Sequence, residues 1–285
     1  MRATILILLA GCTLVSANPR PVPRSRDYRL YMAAEHLAIT VSTQAASLSG
    51  TFSFKLRPEM HPHIMDPSAM LQIPIWFPER DSKDPGVAAF WKAFPVEQRN
   101  FELTQANRRV LDEVLGLRVS IGKRALEISG FWVLTNGAPV YHLAPDGWNQ
   151  EPGLCCLIFE LEFRDETMLL QEPLALCYRQ PLLHTPRGEE FFYLPVLKDL
   201  AKGTDMNRYS IIITPDPSCA LEVSNGEEKA TVASGNCAKL VPQHHVAIRA
   251  RVKSYANPQT RANGRQPFGS EANRASAAAA SRRSP

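Results

Sequence analysis

The sequence lacks most of the features that tie a chain to a function. Beyond its first residues no apolar run approaches the roughly 20 residues of a spanning helix, so no transmembrane helix is expected after the leader. It has no Gly-x-Ser-x-Gly elbow, Walker A loop, dinucleotide fingerprint, His-Glu-x-x-His pair or EF-hand loop. It also has no Cys-x-x-Cys, which leaves thioredoxin-like chemistry without support. No Asn-x-Ser/Thr sequon occurs, which fits a bacterial source, and no internal repeat stands out. These absences do not exclude an enzyme. The two carboxylates of a glycosidase carry no local signature.

Basic excess is absent from the body of the chain. The formal charge of the 285 residues is +4, yet Arg2, Arg20, Arg24, Arg26 and the arginines after Lys253 account for more than all of it. Residues 27–253 are net acidic. A nucleic-acid-binding fold needs the opposite, so no nucleic-acid partner is expected.

Met1–Ala17 (MRATILILLAGCTLVSA) has a basic residue, an apolar run from Ile5 to Ala10 extended by Leu14 and Val15, and small residues at Val15-Ser16-Ala17. This is the pattern of a signal peptide (1–17), cleaved to leave Asn18 first. A second reading stands beside it: Leu9-Ala10-Gly11-Cys12 matches a bacterial lipobox, which ends the leader at Cys12 and lipidates that cysteine. Both place the body outside the cytoplasm: periplasmic, outer-membrane-anchored or secreted. Asn18–Arg26 (NPRPVPRSR) reads as a stiff Pro/Arg linker, 18–26. Its arginines offer peripheral contact with an anionic membrane or wall surface, more so beside a lipidated Cys12. Ser254–Pro285 is poor in core-forming residues and reads as a disordered basic tail, 254–285.

The body reads as sheet. Leu48–Leu56 (LSGTFSFKL) alternates strictly, and Leu71–Phe77 (LQIPIWF) does so with Gln72, Pro74 and Trp76 outward and Pro74 pointing to a sheet edge. Leu117–Ile121 and Ala125–Thr135 resemble a hairpin about Gly122-Lys123. Further strands are expected at Val140–Leu143, Leu154–Phe163, Met168–Tyr178, Glu190–Leu197, Tyr209–Thr214, Cys219–Ser224, Lys229–Ala233 and Val246–Lys253. Thr104–Leu115 is the one clear short helix, with Thr104 as cap and Gly116 as stop; a helical turn over Val87–Phe94 is less well marked. Short strands with Pro/Gly/Asn turns predict a mainly β chain, an antiparallel β-sandwich in two Ig-like modules, 27–135 and 138–253, divided at Asn136–Pro139.

Six cysteines occur: Cys12, Cys155, Cys156, Cys177, Cys219 and Cys237. Removing or lipidating Cys12 leaves an odd number for disulfides. Cys219 and Cys237 bracket a hairpin with its turn at Asn225–Glu228. Counting back from that turn sets Cys219 opposite Ser234, so a bridge requires the chain to curl at Gly235-Asn236. Adjacent Cys155 and Cys156 point to opposite faces of a strand, so one at most reaches Cys177; buried structural thiols are the simplest reading of the group.

Met60–Met70 (MHPHIMDPSAM) places Met60, His61, His63, Met65, Asp66 and Met70 in one loop. Imidazole and thioether are copper ligands, and the segment resembles the methionine/histidine loops of periplasmic copper-carrying sandwiches. The resemblance implies copper as cofactor, held by His61, His63, Met60 and Met65; a plain connecting loop is the simpler alternative. His244-His245 is a second ligand candidate. Trp76, Trp91, Trp132 and Trp148 admit a carbohydrate platform or the capping of a sandwich. Glu160 and Glu162, sharing one strand face opposite the apolar set, read as a solvated face rather than an acid/base pair.

Three functions remain open. The first is a non-catalytic envelope or secreted binding/scaffold protein with an envelope or extracellular partner. The second is a periplasmic copper-binding protein using Met60–Met70, and the third a hydrolase acting on envelope polymers.

Overall fold

The computed structural model of the chain describes residues 20–22, 30–56, 69–79, 84–95, 100–134, 153–163, 167–194, 208–243 and 246–254. In chain order the elements are β1 (Arg20–Val22), β2 (Leu30–Val41), β3 (Ala45–Leu56), β4 (Ala69–Pro78), α1 (Pro85–Ala93), β5 (Asn100–Glu102), α2 (Gln105–Val114), β6 (Arg118–Ile121), β7 (Arg124–Leu126) and β8 (Ile128–Leu134). They continue with β9 (Leu154–Phe163), α3 (Thr167–Gln171), β10 (Leu174–Pro181), β11 (Leu183–Thr185), β12 (Gly188–Tyr193), β13 (Tyr209–Pro215), β14 (Cys219–Asn225), β15 (Glu228–Val232), β16 (Ala238–Leu240) and β17 (Ile248–Ser254). The chain is mainly β, as expected, with strands in three sheets: A, in the order β1-β4-β9-β8-β5; B, β16-β13-β2-β3-β10-β6-β7; and C, β11-β12-β17-β14-β15. Every described pair is antiparallel except β13 beside β2. No helix among the described residues is long and apolar enough to cross a membrane.

The sheets do not follow the expected division into modules 27–135 and 138–253. Sheet A joins β9 to β4 and β8, and sheet B joins β10 to β3 and β6. The described residues, all of them before Tyr255, form one compact unit. The proposed boundary at 136–139 lies outside the described residues. Within the expected linker, Arg20–Val22 pairs with Met70–Gln72 at the edge of sheet A. Pro74 lies beyond that stretch, where its missing N–H breaks no described pairing. The segment expected as one strand from Met168 to Tyr178 begins as the short helix α3, with the strand starting at Leu174.

Sheet A carries an aromatic core on one face. Phe77 and Phe131 from the strands meet Phe90 and Trp91 of α1 and Phe94 at its C-terminal cap, with centroids 4.5 Å apart for Phe77–Phe90, and Phe159 packs on Phe131 at 5.1 Å. Asp84 caps α1 by accepting from the Gly86 and Val87 amides (2.7 and 3.0 Å), and Pro85 occupies the first turn, where no amide is lost. α2 begins at the expected cap, Thr104, and buries Leu111 and Val114; Gly116 follows it at φ +55°, a left-handed value suited to glycine. The other face of β4 is also buried. Trp76, expected outward, meets Phe192 of sheet C edge-on at 5.2 Å.

Sheet B buries a carboxyl group. The pairing of β2 with β3 shifts register between Met32 and Ala34. This bulge reverses the in-out parity: Leu30 is buried before it, and Glu35, Leu37, Ile39 and Val41 after it. Glu35 therefore points inward, and the Tyr193 hydroxyl of sheet C donates to its Oε1 at 2.5 Å. Burial, reinforced by the Glu35 charge and hydrogen bond, pushes the Tyr193 phenol well up. Tyr209, opposite Glu35 on β13, donates to the Met32 carbonyl at 2.6 Å within the bulge. Replacing Tyr193 by Phe takes one hydrogen-bond donor from a buried carboxyl group. A loss of about 1–3 kcal/mol is expected, seen as a lower urea midpoint at unchanged slope. An unshifted midpoint would mean that this bond between sheets adds no stability.

Candidate functional site

A cleft of 580 Å³ opens where one end of sheet B meets the helices. Such a volume suits a small ligand. Thr43, Gln44 and Ala45, from the β2–β3 turn, form one part of its lining; Asp84, Pro85, Gly86 and Ala89 of α1 form another. Glu113 and Val114 end α2, while Arg179, Pro181 and Leu182 come from β10 and the residue after it. His184 and Glu189 from the β11–β12 hairpin complete the lining.

Local chemistry fixes each part. The Ser42 hydroxyl accepts from the Gln44 and Ala45 amides (3.2 and 3.1 Å) and donates to the Ala45 carbonyl (2.9 Å), tying off the first turn. In the hairpin, Thr185 Oγ1 accepts from the Arg187 amide (3.2 Å) and donates to the Gly188 carbonyl (2.8 Å), with Gly188 at φ +118°. This sets His184 directly across from Glu189, with Nδ1 and Oε1 2.7 Å apart. The Arg179 amide donates to the Leu115 carbonyl at 2.7 Å, joining β10 to the end of α2.

The carboxylates of the cleft are already engaged. Asp84 caps α1, Glu189 holds His184, and Glu113 pairs with Arg109 at 2.8 Å. Arg179 differs: among the described residues its guanidinium has no hydrogen bond or ion pair, and it is exposed at the cleft.

Charges on the face of sheet C that carries Phe192 neutralise one another. Buried Glu190 lies 3.4 Å from both Arg249 and Arg251, while Glu222 pairs with Arg251 (2.9 Å) and Lys253 (2.8 Å). The Lys253 hydrogen bond leads the effects that hold the Glu222 carboxyl below its ordinary value. Adjacent Glu189 and Glu190 thus serve different partners. Glu160 is bonded by Gln72 Nε2 at 3.3 Å.

The residues singled out in the sequence fare differently. His61, His63, Met60 and Met65 lie outside the described residues, as do Cys12, His244, His245 and Trp148. In sequence, His61, His63, Met60 and Met65 fall between β3 of sheet B and β4 of sheet A. Trp76 and Trp91 are core residues, and Trp91 Nε1 donates to the Pro78 carbonyl at 3.0 Å. The expected Cys219–Cys237 bridge is not formed. The β14–β15 register runs from Asn225↔Glu228 to Leu221↔Val232, and continuing it sets Cys219 level with Ser234, as the turn arithmetic requires. Cys219 instead turns into the core and donates to the Val41 carbonyl at 3.4 Å, while Cys237 is exposed.

Cys155 and Cys156 are buried free thiols, and burial pushes both well up. Cys177 is exposed at the rim of a smaller apolar cavity of 320 Å³ between α2 and the β6–β8 segment, with Sγ 3.5 Å from Ser49 Oγ. The cleft residues His184, Glu189 and Arg179 escaped the sequence reading. Their one local signal is a His and a Glu flanking Thr185-Pro186-Arg187-Gly188, a turn that sets them opposite each other.

No protein-family model matches the chain, and the search of curated proteins returns no significant match.

A thiol reagent applied to the native protein is expected to modify Cys177 and Cys237 at once, and Cys155, Cys156 and Cys219 only after unfolding. Alkylation in denaturant should add the same mass with or without prior reduction. Two further groups after reduction, mapped by peptide mass to Cys219 and Cys237, would reinstate that bridge.

Proposed function

We propose that the protein is an exported bacterial binding or scaffold protein of the envelope or extracellular space, and that it holds a ligand in the cleft at the end of sheet B without chemistry of its own. The cleft carries this reading. Its carboxylates are committed to a helix cap, a histidine and a surface arginine, which suits recognition better than acid/base work. Support for export comes from Met1–Ala17, with cleavage after Ala17 or lipidation at Cys12. Either form keeps Arg20–Val22, the strand that edges sheet A.

Mass spectrometry of the chain recovered from fractionated bacterial cells tests export. A chain starting at Asn18, or a diacylglyceryl Cys12 in the membrane fraction, is expected. A chain starting at Met1 in the cytosol overturns the reading.

A hydrolase acting on envelope polymers is the second reading, favoured by the His184–Glu189 pair. A carboxylate that orients an imidazole in a cleft is half of a general-base arrangement. Under this reading the protein releases soluble fragments from purified cell-wall polymer and His184→Ala abolishes the release. No release by the wild type, or equal release by the variant, sinks it.

A further inference from the structure

We infer that the cleft takes a short free peptide or amino acid, bound through both its carboxylate and its ammonium group. The inference rests on the reading of the cleft as a binding site and adds the chemical class of the ligand.

The charge pattern selects that class. Arg179 is the cation of the cleft left without a partner among the described residues. A guanidinium is planar and always charged, and its paired N–H groups match the two oxygens of a carboxylate. The backbone beneath it is held by the bond to Leu115, so the side chain projects from a fixed strand. Glu113 and Glu189 share the lining, each bound to one internal partner, and a carboxylate offers about four lone-pair sites, so both keep acceptor capacity for an ammonium group.

A phosphate or other dianion would satisfy Arg179 and face three carboxylates. A simple cation would leave Arg179 unanswered and be repelled by it. A ligand with one carboxylate and one ammonium a few ångströms apart answers both signs. Small or apolar residues complete the lining, among them Ala45, Ala89, Val114 and Leu182. They give no aromatic platform for a sugar ring and leave room for small side chains. The volume of 580 Å³ accommodates a di- or tripeptide.

Isothermal titration of the mature protein tests this with four probes: trialanine with free ends, its N-acetyl form, its C-terminal amide, and inorganic phosphate. Trialanine is expected to bind, with each end-blocked form at least about tenfold weaker, the equivalent of one lost charge-assisted contact. Phosphate should give no heat and should not displace the peptide. Arg179→Gln should weaken trialanine binding by about tenfold or more while leaving the amide unchanged, and Arg179→Lys, which keeps the charge and loses the fork, should fall between. Thermal melts of both variants check that the fold is retained.

Absence of trialanine binding overturns the inference, as does equal binding of either end-blocked form, competition by phosphate, or wild-type affinity in Arg179→Gln. The outcomes separate from those of the export reading. An exported chain that ignores trialanine refutes the ligand class alone, and a cytosolic chain that binds it refutes export alone.

Discussion

Sheet A is covered on both faces, and the layering of the protein follows from that constraint. From Leu71 to Phe77 every side chain of β4 is buried, and so is every side chain of β9 from Leu154 to Phe159. One face of β4 receives α1, where Phe77 meets Phe90 and Trp91; on the other, Trp76 meets Phe192 of sheet C. Strands in this position must be nearly continuous apolar runs, as LQIPIWF and LCCLIF are. The thiols of Cys155 and Cys156 fit this demand as small apolar groups. Their pKa values, raised by burial, mark them as unreactive packing.

Sheets B and C meet through a polar contact set inside the apolar one. The bulge near Met32 turns Glu35 inward, and Tyr193 reaches across to it. Gln180 of β10 adds a second link by donating to the Phe192 carbonyl at 3.1 Å. Such contacts make a core more selective than hydrophobic packing does. A strand that slips by two residues keeps its apolar face inward and strands a carboxyl group in the core away from its donor. The same sheet supplies most of the cleft. The β2–β3 turn and the end of β10 converge at one end of sheet B, where α1, α2 and the β11–β12 hairpin close around them.

Much of the local structure was legible because it depends on neighbours in sequence. Strict alternation marks β3, β13 and β14, Thr104 and Gly116 frame α2, and Gly122 and Gly226 mark turns at left-handed φ. Assembly was not legible. Alternation shows that a strand has two faces and not which strand lies beside it, so β9 and β10 gave no sign that they join sheets begun more than a hundred residues earlier. Parity misled at Trp76, since alternation alone assigns one side to solvent, and the inward turn of Glu35 behind a bulge had no signal in the sequence. The cleft was invisible for the same reason. Arg179, His184 and Glu113 are ordinary surface residues until a turn, a helix end and a strand end are brought together.

The parallel pair of β2 and β13 carries a consequence for the order of folding. His36 and Ser210, bonded at 2.9 Å across that pair, are 174 positions apart, and Gln72 and Glu160 in sheet A are 88 apart. The contact order is therefore high, and loop closure must precede the reward of pairing, which slows folding. As the chain emerges from synthesis, the β2–β3 hairpin waits for its neighbour on one side until about three quarters of the sequence has been made. Its open edge and apolar face are exposed throughout that interval, so the nascent chain depends on being shielded until its last third arrives.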